Sequence, residues 1–148
     1  MATKTTVLEK NESLVQFLKF AAVGVSNTAV DWIVYGVITK FIVTATNFES
    51  TAKAISFLVA MLNSYLWNTI WTFKKEYGDS TKGGDNNAKG KIFAKFAVVS
   101  LIGWGINLAT FDFVRFHMNQ GQIVSLVAAS AAATLLNFFM NKLWTYKK

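Results

Sequence analysis

Four long apolar blocks, at about residues 17–43, 54–73, 92–114 and 123–146, alternate with polar stretches along the chain. Within each block the apolar residues run on without the one-sided rhythm of an amphipathic surface helix. A bilayer core about 30 Å thick is crossed by roughly 20 apolar residues in helical form, so each block predicts one transmembrane helix. The connections near residues 44–53 and 115–122 are short, which pairs the blocks into two tight antiparallel hairpins. Between the hairpins lies the 18-residue stretch KKEYGDSTKGGDNNAKGK, residues 74–91, whose Gly and Asn content predicts a flexible linker.

Composition strengthens this picture. The 148 residues are 53% hydrophobic and only 16% charged, against about 25% charged in a soluble domain. A soluble fold of this length has too much surface for its volume to hide so much apolar material, which argues against a soluble enzyme. The net charge of +7 is placed between the blocks, where lipid headgroups and not nucleic acid would meet it. Twelve of the fifteen Lys and Arg residues lie on one side of the expected membrane, in the N-terminal segment, around 74–95 and at 142–148. The other side has Lys40, Lys53 and Arg115. The positive-inside rule then puts both termini and the linker in the cytoplasm, with the chain in the cytoplasmic (inner) membrane. Residues 1–13 are polar, so no cleavable signal peptide is read there. Without cysteine there is no thiolate site or disulfide to consider, and no cofactor is implied.

The chain also repeats. Phe17-Leu18-Lys19-Phe20-Ala21 matches Phe93-Ala94-Lys95-Phe96-Ala97 76 positions on, and Asn68-Thr69-Ile70-Trp71-Thr72-Phe73 matches Asn141-Lys142-Leu143-Trp144-Thr145-Tyr146 73 positions on. Each half enters with F-x-K-F and leaves with N-x-x-W-T-[FY]-K-K, one half spanning about 16–75 and the other 92–148. Two spans per half predict the same insertion for both, with a pseudo-two-fold axis along the membrane normal. The expectation is an all-α membrane protein of four transmembrane helices, built as two parallel-repeat helical hairpins in one membrane domain.

These motifs, in this order and across residues 16–148, resemble the GtrA-like family. The resemblance implies carriage of a polyprenyl-phosphate-linked monosaccharide across the bacterial cytoplasmic membrane, for glycosylation of a cell-envelope polysaccharide. Family members carry a basic residue after the Asn of the closing motif; Lys142 keeps it, whereas Thr69 does not.

Polar residues inside the blocks are the candidate substrate-binding set. Asp31 stands deep in the first, where an Asp costs about 2.5–3.5 kcal/mol on insertion scales and so asks for a role. It shares a helical stripe with Gly24, Asn27, Thr28 and Tyr35, and its repeat counterpart is Asn107. Either it meets sugar hydroxyls or a proton, or it bonds a neighbouring helix and fixes packing. Asn63, Asn68, Asn137 and Asn141 lie on the second and fourth blocks, with Trp71 and Trp144 beside them. Amides suit sugar hydroxyls and an indole face suits a pyranose, while interhelical hydrogen bonding is the plainer use. Lys19, Lys95 and Lys142, near the cytoplasmic boundary, could attract the lipid phosphate or only snorkel to headgroups. Asp112 and Arg115, three apart, are expected to pair, and His117 has no Cys or second His with which to hold a metal.

The function read from these residues is a flippase, not an enzyme. The linker is too short to bind a nucleotide-sugar, and no Asp-x-Asp or phosphate loop is present. Four helices need not enclose a channel, since the prenyl chain can stay in the bilayer while a polar groove, at a helix or homo-oligomer interface, carries the head. The partners expected are that lipid-linked sugar, membrane lipids and a second copy of the chain. The alternative is a membrane-anchoring or regulatory subunit of a polyprenyl-phosphate glycosyltransferase, docked through residues 74–91 and the terminal lysines. A small proton-coupled exporter of cationic drugs, working through Asp31, is the third reading.

Overall fold

The computed structural model describes residues 2–41, 49–82 and 84–147. All regular structure in them is helical: α1 (Ala2–Phe41), α2 (Glu49–Trp67), α3 (Lys74–Ser80), α4 (Asn86–Asp112) and α5 (Gln122–Met140). Three five-residue π turns extend these helices: π1 (Asn68–Thr72) after α2, π2 (Phe113–His117) after α4 and π3 (Asn141–Thr145) after α5. The chain divides into two compact units, Met1–Lys74 and Lys75–Lys148.

In the first unit α1 packs along α2 and π1. α1 is longer than the expected block because the polar residues before position 17 continue the helix. The connection expected near 44–53 lies mostly outside the described residues, and α2 begins at Glu49. In the second unit α4 packs along α5 and π3. The linker expected as a flexible stretch is largely helical: it holds α3 and, from Asn86, the first turns of α4. Gly84, at φ +75°, supplies the left-handed turn between the two, and the Asp85 side chain then caps α4 by accepting from the Asn87 amide at 2.8 Å.

Among the described residues, three helical runs are long and apolar enough to cross a membrane: Asn11–Phe41, Asn86–His117 and Gln122–Thr145. Four were expected. The run α2–π1 is not among the three, since Asn63, Ser64, Asn68 and Thr69 dilute its apolar character. Leu, Val, Ile and Trp side chains stand exposed along all of these helices, as in Trp32, Ile33, Leu58, Leu101, Trp104 and Val127. In lipid that outward apolar surface needs no cover, and helix association falls to small-residue packing and polar contacts.

The π turns explain the closing motif. The Phe73 amide donates to the Asn68 carbonyl at 2.7 Å, and the Tyr146 amide to the Asn141 carbonyl at 2.9 Å. Five residues per hydrogen-bonded turn bring positions +4 and +5 from the Asn back to its own face, where an α-helix would return +3 and +4. Hence Asn68, Thr72 and Phe73 are all buried in the first unit, and Asn141, Thr145 and Tyr146 in the second. Trp71 and Trp144, at +3, are turned outward and 43% exposed in each case. Opposite them the entry motif contributes buried Phe20 and Val23 on α1, and buried Phe96 and Val99 on α4. Phe20 meets Phe73 edge-on at 6.2 Å, which closes that end of the first hairpin.

Candidate functional site

In the first unit the polar side chains gather at two levels. At the inner level Ser56 of α2, fully buried, donates its hydroxyl proton to Asp31 Oδ1 at 2.7 Å. One turn away on α1, Asn27 Oδ1 accepts from Asn63 Nδ2 at 3.5 Å. These contacts join α1 to α2 through four polar residues. Ser56 was not singled out from the sequence, because a lone Ser in an apolar helix is common and its partner lies 25 positions away. The outer level is the motif end. Asn68 bends back to donate from Nδ2 to the Ser64 carbonyl at 2.9 Å and to its hydroxyl at 3.3 Å. The Lys19 ammonium lies 5.6 Å from the centre of the Trp71 ring. Twelve residues of α1 separate Lys19 from Asp31, about 18 Å at the helical rise.

The second unit repeats the outer level and changes the inner one. Asn141 donates from Nδ2 to the Asn137 carbonyl at 2.9 Å, and Lys95 sits 5.5 Å from the Trp144 ring. The Lys95 ammonium also donates to the Trp144 carbonyl at 3.1 Å, a bond that ties it to the helix end. The Lys142 ammonium lies 5.7 Å from the centre of the Phe138 ring. At the inner level Asn107, the counterpart of Asp31, has no hydrogen-bond partner among the described residues, and the counterpart of Ser56 is buried Ala129. Asn137 packs its carboxamide against the bare backbone of Gly103.

The indole faces expected to stack on sugar are therefore shared with the ammonium groups expected to attract phosphate. Several buried acceptors have no partner among the described residues: Asn68 Oδ1 and Thr72 Oγ1 in the first unit, and Asn137 Oδ1, Asn141 Oδ1 and Thr145 Oγ1 in the second. An Asn–Thr pair at the same two motif positions is left so in each unit, the polar signature of the π turn. The expected Asp112–Arg115 pair does not form: π2 widens the turn between them, and Arg115 donates to the Gln120 carbonyl at 2.9 Å. Among the described residues no three His, Cys, Asp or Glu side chains could together hold a metal ion.

Comparison with known proteins places this geometry. The family model for the GtrA/DPMS transmembrane domain matches residues 19–146, from the entry lysine to the closing tyrosine. The chain is also 30% identical over 131 residues to the uncharacterized membrane protein YngA of Bacillus subtilis (strain 168), a match covering 86% of this chain and 77% of that protein.

Proposed function

The chain belongs to the GtrA/DPMS transmembrane domain family, and on that premise we propose that it flips a polyprenyl-phosphate-linked monosaccharide across the bacterial cytoplasmic membrane for envelope polysaccharide glycosylation. In this reading α2–π1 is a fourth span, both termini are cytoplasmic, and the working form is a homo-oligomer. The observation that carries it is the polar ladder of the first unit, Asn27–Asn63 and Asp31–Ser56, inside an apolar hairpin. Lipid does not reward such groups, and the plain use of a polar contact between helices averages only about 0.6 kcal/mol. A sugar crossing the core needs hydroxyl partners at that depth, and carboxyl and carboxamide groups supply acceptors and donors. The phosphodiester carries about one negative charge, so outward movement gains about 2.3 kcal/mol per 100 mV if the charge crosses the full field. The chain then has only to replace the hydration of the head.

The test is reconstitution of the purified chain in liposomes holding a polyprenyl-phosphate sugar, with an impermeant probe reporting its arrival in the outer leaflet. Movement that requires the chain and falls at least tenfold in Asp31→Asn is expected. Movement unchanged in that variant and in Asn141→Ala would remove the proposed site.

One observation favours a second reading, an anchoring or regulatory subunit of a polyprenyl-phosphate glycosyltransferase. The stretch 74–91 carries the helix α3 and, closing over its end, the Lys82–Asp79 ion pair at 2.9 Å, and so offers a shaped surface. Under that reading, removing residues 78–84 abolishes synthesis of the lipid-linked sugar itself, whereas a flippase so shortened leaves synthesis intact.

A further inference from the structure

A groove of about 440 Å³ opens in the first unit between α1 and the α2–π1 junction, lined by Ala22, Val23, Ser26, Trp67, Ile70 and Trp71. Its volume is that of a ligand pocket, typically ~300–1,000 Å³. The lining is apolar save for the Ser26 hydroxyl, so it suits a hydrocarbon chain and not a sugar. Lys19 stands one turn before Ala22 and Val23 on α1, and its ammonium lies 5.6 Å from the Trp71 ring that forms the groove wall. That ammonium has no hydrogen-bond acceptor among the described residues, whereas the equivalent Lys95 is tied to the Trp144 carbonyl. The positions that shape the groove also differ between the halves. Where the first unit has Ala22, Ser26 and Trp67, the second has Val98, Ile102 and Met140, so the floor is raised and one of the two tryptophan walls is replaced, Trp144 keeping the other.

We propose that this groove seats one prenyl phosphate, its phosphate on Lys19 and its first isoprenoid units between α1 and the two tryptophans, so that the lipid is taken up by the first unit and not by its repeat. The inference rests on the reading of the chain as a carrier of a lipid-linked phosphate. One ammonium at one end of one apolar groove matches an amphiphile with a single chain and a single phosphate. The ammonium and phosphate form a charge-assisted contact at the edge of a low-dielectric wall, where such contacts are strongest. The polar ladder begins at Asn27, about 12 Å further along α1, which is beyond the reach of a sugar on a phosphate held at Lys19, so Lys19 is the uptake position and the phosphate leaves it before the sugar meets the ladder.

The experiment is equilibrium binding of radiolabelled farnesyl monophosphate to the full chain in phosphatidylcholine nanodiscs. Saturable binding is expected, weakened about tenfold in Lys19→Gln and in Ser26→Ile, which raises the floor to that of the second unit. Lys91→Gln, an exposed lysine outside the groove, is expected to bind as the unchanged protein does. Binding within twofold of the unchanged protein in Lys19→Gln would overturn the proposal. So would an equal loss in Lys95→Gln, or displacement of the probe by an equal concentration of phosphatidylglycerol, which would mark a general anionic-lipid contact. Lys19 is part-exposed, so its variant decides the matter even if Ser26→Ile fails to fold. The two readings separate cleanly. If sugar movement depends on Asp31 while probe binding ignores Lys19, the groove is wrong and the carrier stands. If binding depends on Lys19 but no sugar moves, the carrier is wrong and the groove stands.

Discussion

At the level of single residues, the two hairpins solve one packing problem with opposite choices. The position that is Asn27 on α1 is Gly103 on α4, and the position that is Ser64 on α2 is Asn137 on α5. In the second unit the large side chain has moved to the other helix, and the bare glycine gives it room: a Cβ at Gly103 would fall on the Asn137 carboxamide. Gly103→Ala is therefore expected to cost about 1–3 kcal/mol, the range for forcing an extra carbon into a filled site. Asn137→Ser, which installs the first unit's residue, should recover most of that loss, as read from the thermal unfolding of detergent-solubilised protein. Independent costs for the two changes would show that the residues are not coupled. Asp31 was legible in the sequence because an acid inside an apolar block is costly and stands out. Ser56 was not, because a small residue in a membrane helix has a use only once its neighbour on another helix is known.

Among the elements, the π turn is what the closing motif encodes. Trp71 and Trp144 look like the principal residues of N-x-x-W-T-[FY], yet both face outward, and the aromatic ring five positions after the Asn is the one that is buried. Phe73→Ala should cost about 3–5 kcal/mol, as for a buried aromatic, and Trp71→Ala distinctly less. Comparing the melting of the two variants checks this order, and a reversed order would mean that the wide turn does not hold. The apolar blocks themselves were legible, because bilayer thickness fixes their length and composition. The wide turn was not, since hydrogen bonds of this span leave no mark on composition; the only signal was an Asn and an aromatic ring repeated at a spacing of five. The stretch 74–91 was misread because Gly and Asn in a polar run predict a loop, whereas Gly84 and the Asp85 cap confine the break to a few residues.

At the scale of the whole molecule, the number of spans decides which side of the membrane each end occupies. Among the described residues three helical runs suffice to cross by length and composition, and an odd number would leave the termini on opposite sides. The nineteen residues of α2 alone rise about 28 Å, close to the bilayer core, and π1 carries the helix further. Its polar residues are turned to uses that do not require water. Ser56 bonds Asp31, Asn63 bonds Asn27 and Asn68 bonds the turn before it, so their insertion cost falls once α1 is alongside. On the four-span proposal the hairpin, not the single helix, is the unit that enters the membrane, and the basic residues around 74–95 would hold its exit on the cytoplasmic side. Fusions to green fluorescent protein at either end of the chain should therefore both fluoresce, and alkaline phosphatase fused after Gln120 should be active. Fluorescence at one end only would mean that α2 stays at the surface. In that case the ladder between α1 and α2 could not form across the bilayer, and the path proposed for the sugar would fail with it.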